Sequence, residues 1–408
     1  MQCGLLGRKL GHSYSPQIHR ELGSYGYCLY EKEPWELEAF LTGGTFAGLN
    51  VTIPYKKDVI PYLDELSPVA KRLGAVNTIV RKPDGSLMGH NTDYFGFRYL
   101  VRRSGLTVSG KKVLVLGSGG ASNTAVAVLE ELGAQVVIIS RSGENNYGNL
   151  QLHADASVIV NTTPVGMFPN TGVSPVDLGL FPRLEGVLDA IYNPARTKIL
   201  LDGERRGLIA MNGLWMLVAQ AKESAEWFTG KPIADDVIPK IHDSLRREME
   251  NLVLIGMPGC GKTTVGKLLA QATGKRFIDA DQALEERVGR SITDIIPQEG
   301  EAAFRVMETE TLAELGKQSG LVIATGGGCV TREKNYDSLH QNGTIVWLTR
   351  SPDKLPTEGR PLSQAGKLEQ MLEKRRPMYQ HFADLTVSND GSAEETLAAI
   401  TTGLEENQ

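Results

Sequence analysis

Gly256-Met257-Pro258-Gly259-Cys260-Gly261-Lys262-Thr263 stands between the apolar run Leu252-Val253-Leu254-Ile255 and a stretch of helical character from Thr264 onward. An apolar strand that ends in this glycine spacing and a Lys-Thr pair is a phosphate-binding loop. The glycines let backbone N–H groups converge on phosphate oxygens at a helix N-terminus, whose dipole favours negative charge. Lys262 is placed to reach the β- and γ-phosphates, and the Thr263 hydroxyl to ligate Mg²⁺. Gly259, Cys260, Gly261 and Thr264 complete the expected nucleotide contacts. The expected fold is α/β with a parallel sheet, and the expected cofactor is ATP.

Outward from this loop, short β-branched runs alternate with helical stretches along the whole chain, the pattern of α/β folding around largely parallel sheets. Expected strands cover 46–53, 113–117, 135–140, 157–160, 252–256, 321–324 and 344–348, and Cys3-Gly4-Leu5-Leu6-Gly7 reads as a first strand. A charged helix over 234–249 precedes the phosphate-loop strand and marks a boundary there. A softer boundary falls near Gly105–Gly110. The predicted lobes are 1–105, completed by about 214–248, then 106–213, then 249–408.

A chain of 408 residues is long for one domain. Its net charge of −5 gives no reason to expect a nucleic-acid or membrane partner. No apolar stretch approaches a membrane span, and the N-terminus does not read as a signal peptide. Cys3, Cys28, Cys260 and Cys329 lack metal-ligand spacing, so a reducing cytoplasm is expected. Nothing in the sequence opposes a homo-oligomer.

Beyond the loop, Asp279 and Asp281 lie two residues apart and would share one side if the strand continued. Gly300-Glu301-Ala302-Ala303-Phe304-Arg305 follows, then Thr325-Gly326-Gly327-Gly328, Arg360-Pro361-Leu362 and Arg375-Arg376-Pro377-Met378-Tyr379. In this order the motifs resemble shikimate kinase over essentially all of 250–408. The resemblance implies that Asp279 helps hold Mg²⁺ and that Asp281 grips substrate hydroxyls and takes a proton. It also implies that Arg305 and Arg375 clamp the substrate carboxylate, that Gly327 contacts ring hydroxyls, and that Arg360 reaches the ATP phosphates from a lid. Guanidinium forks for a carboxylate and a carboxylate for hydroxyls suit a small polyhydroxylated acid. The lid stretch 351–359 is shorter than is usual in that family, with Lys354 as its one cation before Arg360.

In the first half, Gly117-Ser118-Gly119-Gly120-Ala121 follows a strand and opens a helix, with Ser122 where a third glycine would stand. That position needs only a small residue. The next strand ends in Ser140-Arg141-Ser142 rather than in a carboxylate, which favours the 2′-phosphate of NADP(H) over NAD. Further motifs are His12-Ser13-Tyr14-Ser15, Asn50-Val51-Thr52-Ile53-Pro54-Tyr55-Lys56, Gly74-Ala75-Val76-Asn77-Thr78 and Gly89-His90-Asn91-Thr92-Asp93, followed by Asn161-Thr162-Thr163-Pro164, Ile191-Tyr192-Asn193-Pro194 and the run from Gly213 to Gln220. Together they resemble shikimate dehydrogenase over nearly all of 1–245. The resemblance implies a catalytic pair, Lys56 and Asp93. It implies substrate contacts from Ser13, Ser15, Thr52, Asn77, Tyr192 and Gln220, and cofactor contacts from Ile191 and Gly213. His12 reads as a hydrogen-bonded structural residue. Ser140 stands where the family more often has asparagine, and Ala221 where it has glycine.

The two resemblances imply one bifunctional enzyme of the shikimate pathway. It would reduce 3-dehydroshikimate to shikimate with NADPH, then phosphorylate the 3-hydroxyl with Mg·ATP. The rivals are a regulatory protein resembling such a fusion with reduced catalysis, and a quinate/shikimate dehydrogenase working oxidatively with NAD. Retention of Lys56, Asp93, Lys262, Thr263 and Asp281 opposes the first, and Arg141 the second.

Overall fold

Three sheets carry the chain, each built where β-branched and leucine-rich runs supply strands with buried faces. The computed structural model describes residues 1–11, 13–355 and 365–406, so His12, Arg360 and residues 356–359 of the lid stretch lie outside the described residues. The first sheet contains β1 (Gln2–Gly7), β2 (Gly26–Glu31), β3 (Gly48–Val51), β4 (Glu65–Leu66), β5 (Thr78–Arg81) and β6 (Leu87–His90) in the order β2-β1-β3-β5-β6-β4. It is mixed rather than parallel, because β5 runs antiparallel to both β3 and β6. β3 is shorter than the expected 46–53: Thr52 already turns away, and Tyr55 N donates back to Thr52 O at 2.9 Å.

The second sheet holds β7 (Lys112–Leu116), β8 (Gln135–Ile139), β9 (Val158–Asn161), β10 (Gly186–Asp189) and β11 (Ile209–Met211), all parallel, in the order β11-β10-β9-β7-β8. This doubly wound order reverses between β7 and β9, and ligands bind outside the carboxyl ends of strands at such a switch point. The third sheet is also wholly parallel: β12 (Asn251–Ile255), β13 (Arg276–Asp279), β14 (Leu321–Ala324), β15 (Gly343–Thr349) and β16 (Leu385–Ser388), in the order β13-β14-β12-β15-β16. Every residue of β12 is buried, as a central parallel strand requires.

Two compact units result. One comprises Met1–Met167, Val173–Tyr192 and Asp202–Ser244 and contains the first two sheets. In it the helix Leu214–Thr229 packs on the helix Asp93–Ser104 and against β3 and β5. The other comprises Phe168–Gly172, Asn193–Leu201 and Leu245–Gln408 and contains the third. Its core joins β12, β14 and β15 to Leu269, Leu312, Tyr379 and Phe382. No helix among the described residues is long and apolar enough to cross a membrane.

Candidate active sites

A cavity of about 270 Å³ opens in the first unit where β1, β3 and β5 meet the helix Leu214–Thr229. Ser13, Ser15, Thr52, Lys56, Asn77, Asp93, Tyr192 and Gln220 all line it, so the predicted substrate residues converge. Ala121 and Gly213, expected beside the cofactor, border the same space. Lys56 Nζ donates to Asp93 Oδ2 at 2.6 Å. Asp93 is not on a loop, as expected from sequence, but is the first residue of the helix Asp93–Ser104, where the helix dipole favours its charge. Lys56 is aimed by its neighbour: the Tyr55 ring is fully buried and its hydroxyl donates to Lys32 O. Lys56 O in turn accepts from Val76 N at 2.7 Å.

Asn77 is held rather than free to turn. Its Oδ1 accepts from Thr92 N at 2.7 Å and Thr78 Oγ1 at 3.1 Å, so its amide N–H₂ remains for the cavity side, 3.5 Å from Gln220 Oε1. Behind it lies a buried network that the sequence did not reveal. Asn50 Nδ2 donates to Ser224 Oγ at 2.8 Å, the Thr78 and Thr92 hydroxyls each sit 2.9 Å from that oxygen, and Tyr27 OH donates to Asn50 Oδ1. Buried hydroxyls that satisfy one another in this way fix the cavity wall. Burial also raises the Tyr192 phenol above its ordinary pKa, so it stays a neutral donor.

The glycine turn after β7 lies at the switch point of the second sheet. Gly117 has φ +114°, and a Cβ there would stand 2.8 Å from Thr162 Oγ1, beyond the end of β9. Ser122 is buried and donates through Oγ to Gly117 O at 2.7 Å, so its hydroxyl is satisfied at a position that requires a small residue. Ser118 and Gly119 lead into the helix Gly120–Glu131. Past β8, Ser140 N donates to Asn145 O at 3.2 Å, while Arg141 and Ser142 are exposed. Ile191 and Gly213 are joined by a Gly213 N to Ile191 O hydrogen bond of 2.9 Å.

In the second unit the loop after β12 needs left-handed glycines at 256, 259 and 261, with φ of +144°, +83° and +98°. The following helix starts at Lys262, earlier than the sequence suggested. Lys262 Nζ donates to the carbonyls of Gly256 at 2.9 Å and Met257 at 3.0 Å, with Cys260 Sγ at 3.9 Å as a loose third neighbour. Thr263 Oγ1 lies 3.0 Å from Asp279 Oδ2. Here the structure corrects the expectation of two carboxylates on one strand. β13 stops at Asp279, whose Oδ1 caps the helix Ala280–Val288 by accepting from Asp281 N at 3.1 Å and Gln282 N. Asp281 therefore sits in a helical first turn, where burial first and the charge of Asp279 second raise its pKa.

Arg305 and Arg375 both border a second cavity of about 630 Å³, together with Lys374 and Thr331. Arg375 donates to Gly327 O at 3.1 Å, as does Tyr379 OH at 2.6 Å, which places the backbone of Gly327 between the loop and the helix Ala365–Phe382. Arg305 lies so close over Gly328 that a Cβ there would run into its guanidinium.

Both parts of the chain resemble known proteins. Residues 258–405 match the shikimate kinase family, and residues 5–79 the shikimate dehydrogenase substrate binding domain. A shikimate dehydrogenase (NADP(+)) of Clostridium perfringens (strain SM101 / Type A) is 36% identical over 266 residues, 60% of this chain and 97% of the relative. The chain belongs to the shikimate dehydrogenase family. It carries a shikimate kinase domain behind the dehydrogenase part. Shikimate dehydrogenase 1 from Peptoclostridium difficile superposes with TM-score 0.55 and 36% identity, covering 60% of this chain and 97% of that one. The Thermus thermophilus shikimate 5-dehydrogenase, solved with NADP(H) and shikimate, gives TM-score 0.54 and 28% identity over 60% of this chain and 99% of its own.

In the kinase domain the sequence reading missed Glu308. It is nearly fully buried and receives Arg305 Nη1 at 2.9 Å on Oε2, while Oε1 has no hydrogen-bond partner among the described residues. Burial raises its pKa. A Cβ on Gly326 would stand 2.7 Å from Glu308 Oε1 and 2.8 Å from Asp281 Oδ1, so the triple glycine makes room for two acids at once. Helical spacing from Arg305 was the available signal, but a glutamate on a charged helix reads as solvated. In the dehydrogenase part, Met216 and Leu217 of the helix Leu214–Thr229 form apolar wall; they fall inside the Gly213–Gln220 run, but no site role was read for them.

Proposed function

We propose that the dehydrogenase part reduces 3-dehydroshikimate to shikimate with NADPH and that the kinase domain phosphorylates the shikimate 3-hydroxyl with Mg·ATP. The observation that carries this reading is the Lys56–Asp93 pair, 2.6 Å apart inside a cavity lined by hydroxyls and amides. Ser13 and Ser15 offer hydroxyls to a carboxylate, and Asn77 and Gln220 offer amides to ring hydroxyls. Reduction of a ketone leaves a developing alkoxide, which the Lys56 ammonium stabilises and protonates while Asp93 keeps it oriented. The nicotinamide, when bound, supplies the hydride. The open turn at Gly117 with its helix N-terminus suits a pyrophosphate, and exposed Arg141 suits a 2′-phosphate.

In the kinase domain, Arg305 and Arg375 hold the substrate carboxylate. Asp281, with its raised pKa, accepts the proton of the attacking hydroxyl. Lys262 and the loop amides face the phosphates. Thr263 Oγ1 and Asp279 Oδ2, 3.0 Å apart, are the hard oxygen donors that would hold Mg²⁺, which would neutralise charge on the phosphates. Among the described residues no group of three or more His, Cys, Asp or Glu forms a separate metal cage. Four free thiols, three of them at 0% exposure, suit a reducing cytoplasm.

The test is a coupled assay. With 3-dehydroshikimate, NADPH and Mg·ATP the chain should form shikimate 3-phosphate, and NADPH should outperform NADH. Lys56→Ala should end NADPH oxidation alone, and Lys262→Ala ATP consumption alone. A folded variant of either kind that loses both activities refutes the two-site reading.

A further inference from the structure

Opposite Asp279, on the other flank of the phosphate loop, a guanidinium lies without an anionic partner among the described residues. β12 is the central strand of its sheet, with β14 and β13 on one side and β15 and β16 on the other. The first side supplies Asp279, Asp281 and Gly327, so the phosphoryl group to be transferred must point that way. The nucleoside end of a bound triphosphate must therefore leave toward the carboxyl ends of β15 and β16. Arg350 follows directly on β15.

Arg350 Nη1 lies 3.9 Å from where a Cβ on Gly261 would stand, beside the loop's last glycine. Its Nε is buried with no hydrogen-bond partner, and the side chain forms no ion pair among the described residues. The backbone on both sides is fixed. Thr349 O accepts from Asn389 N at 2.8 Å, and Ser351 N and Oγ donate to the Asp390 carboxylate at 2.8 and 2.9 Å. Asn389 Nδ2 also donates to Cys260 O at 2.6 Å, so the same segment braces the phosphate loop. A half-buried cation left unpaired beside a rigid anion-binding loop is unfavourable on its own and becomes favourable when an anion arrives.

We propose that Arg350 binds the nucleoside-proximal phosphate of ATP in the kinase domain, an inference that rests on the kinase reading above. A planar guanidinium can offer two parallel N–H groups to one phosphate, which a lysine cannot. Steady-state phosphorylation of shikimate by the full-length chain tests this, with Arg350→Gln and Arg350→Lys measured beside the parent. Arg350→Gln should raise KM for ATP about tenfold or more, the loss expected for one charge-assisted contact, with KM for shikimate and NADPH oxidation unchanged. Arg350→Lys should recover part of that loss, and the preference for ATP over GTP should stay constant. An unchanged KM for ATP in Arg350→Gln overturns the assignment. So does a changed ATP-to-GTP preference with Arg350→Lys no better than Arg350→Gln, which would mean that the side chain reads the base. If the parent chain transfers no phosphoryl group to shikimate, the kinase reading itself fails, a result distinct from either of these.

Discussion

Asp281 shows how one side chain can acquire a function from its surroundings. An aspartate in water titrates near about 3.9 and is a weak base at neutral pH. Here burial disfavours its charge, and Asp279 two residues away adds repulsion, while Lys262 and Arg305 pull the other way. The net shift is upward, toward a better proton acceptor. The sign of the consequence follows: the carboxylate must be ionised to accept a proton, so activity is lost as pH falls through its raised pKa. The acid limb of kcat/KM for phosphorylation should therefore lie above the range of an ordinary aspartate. Asp281→Asn should remove that limb and lower the rate by about 10²–10⁴, the usual range for a general base. An acid limb at or below about pH 4 in the parent chain would count against Asp281 as the base.

At the scale of elements, each nucleotide site is a strand, a glycine turn and a helix, and the turn tolerates little. Gly117 combines a positive φ with a Cβ position 2.8 Å from Thr162 Oγ1, whose hydroxyl already donates to Leu116 O at 2.6 Å. Gly117→Ala should cost about 1–3 kcal/mol of backbone strain, shift the turn and raise KM for NADPH at least about tenfold. ATP-dependent phosphorylation, measured on the same preparation, should not change. These units were legible in the sequence because fully buried parallel strands read as unbroken apolar runs and glycines punctuate them at fixed spacing. The antiparallel β5 was not legible, since a four-residue strand carries no mark of direction. Nor was the end of β13: Asp279 reads equally well as a strand residue, and only its hydrogen bonds to Asp281 N and Gln282 N make it a helix cap. Glu308 was missed for a related reason. Its burial depends on Gly326, which is close in space but distant in the chain, and its charge is met by Arg305 one helical turn away.

For the whole molecule, the division into two compact units with separate cores decides how ligands act on stability. A ligand that binds only the folded form of one unit stabilises that unit by RT ln(1 + [L]/Kd), about 2.7 kcal/mol at a hundredfold excess over Kd. A two-unit chain need not melt in one step. Scanning calorimetry of the full chain should resolve two transitions, one raised by NADP⁺ and the other by Mg·ADP. Shikimate should raise both, because each unit offers its own set of groups for the acid: hydroxyls and amides with Lys56 in one, paired guanidiniums with Asp281 in the other. Lys56→Ala and Lys262→Ala separate activities, whereas the melts separate binding, so they expose a unit that binds without turnover. Shikimate moving one transition only, with both nucleotides still acting, would leave one of the two acid sites without its ligand.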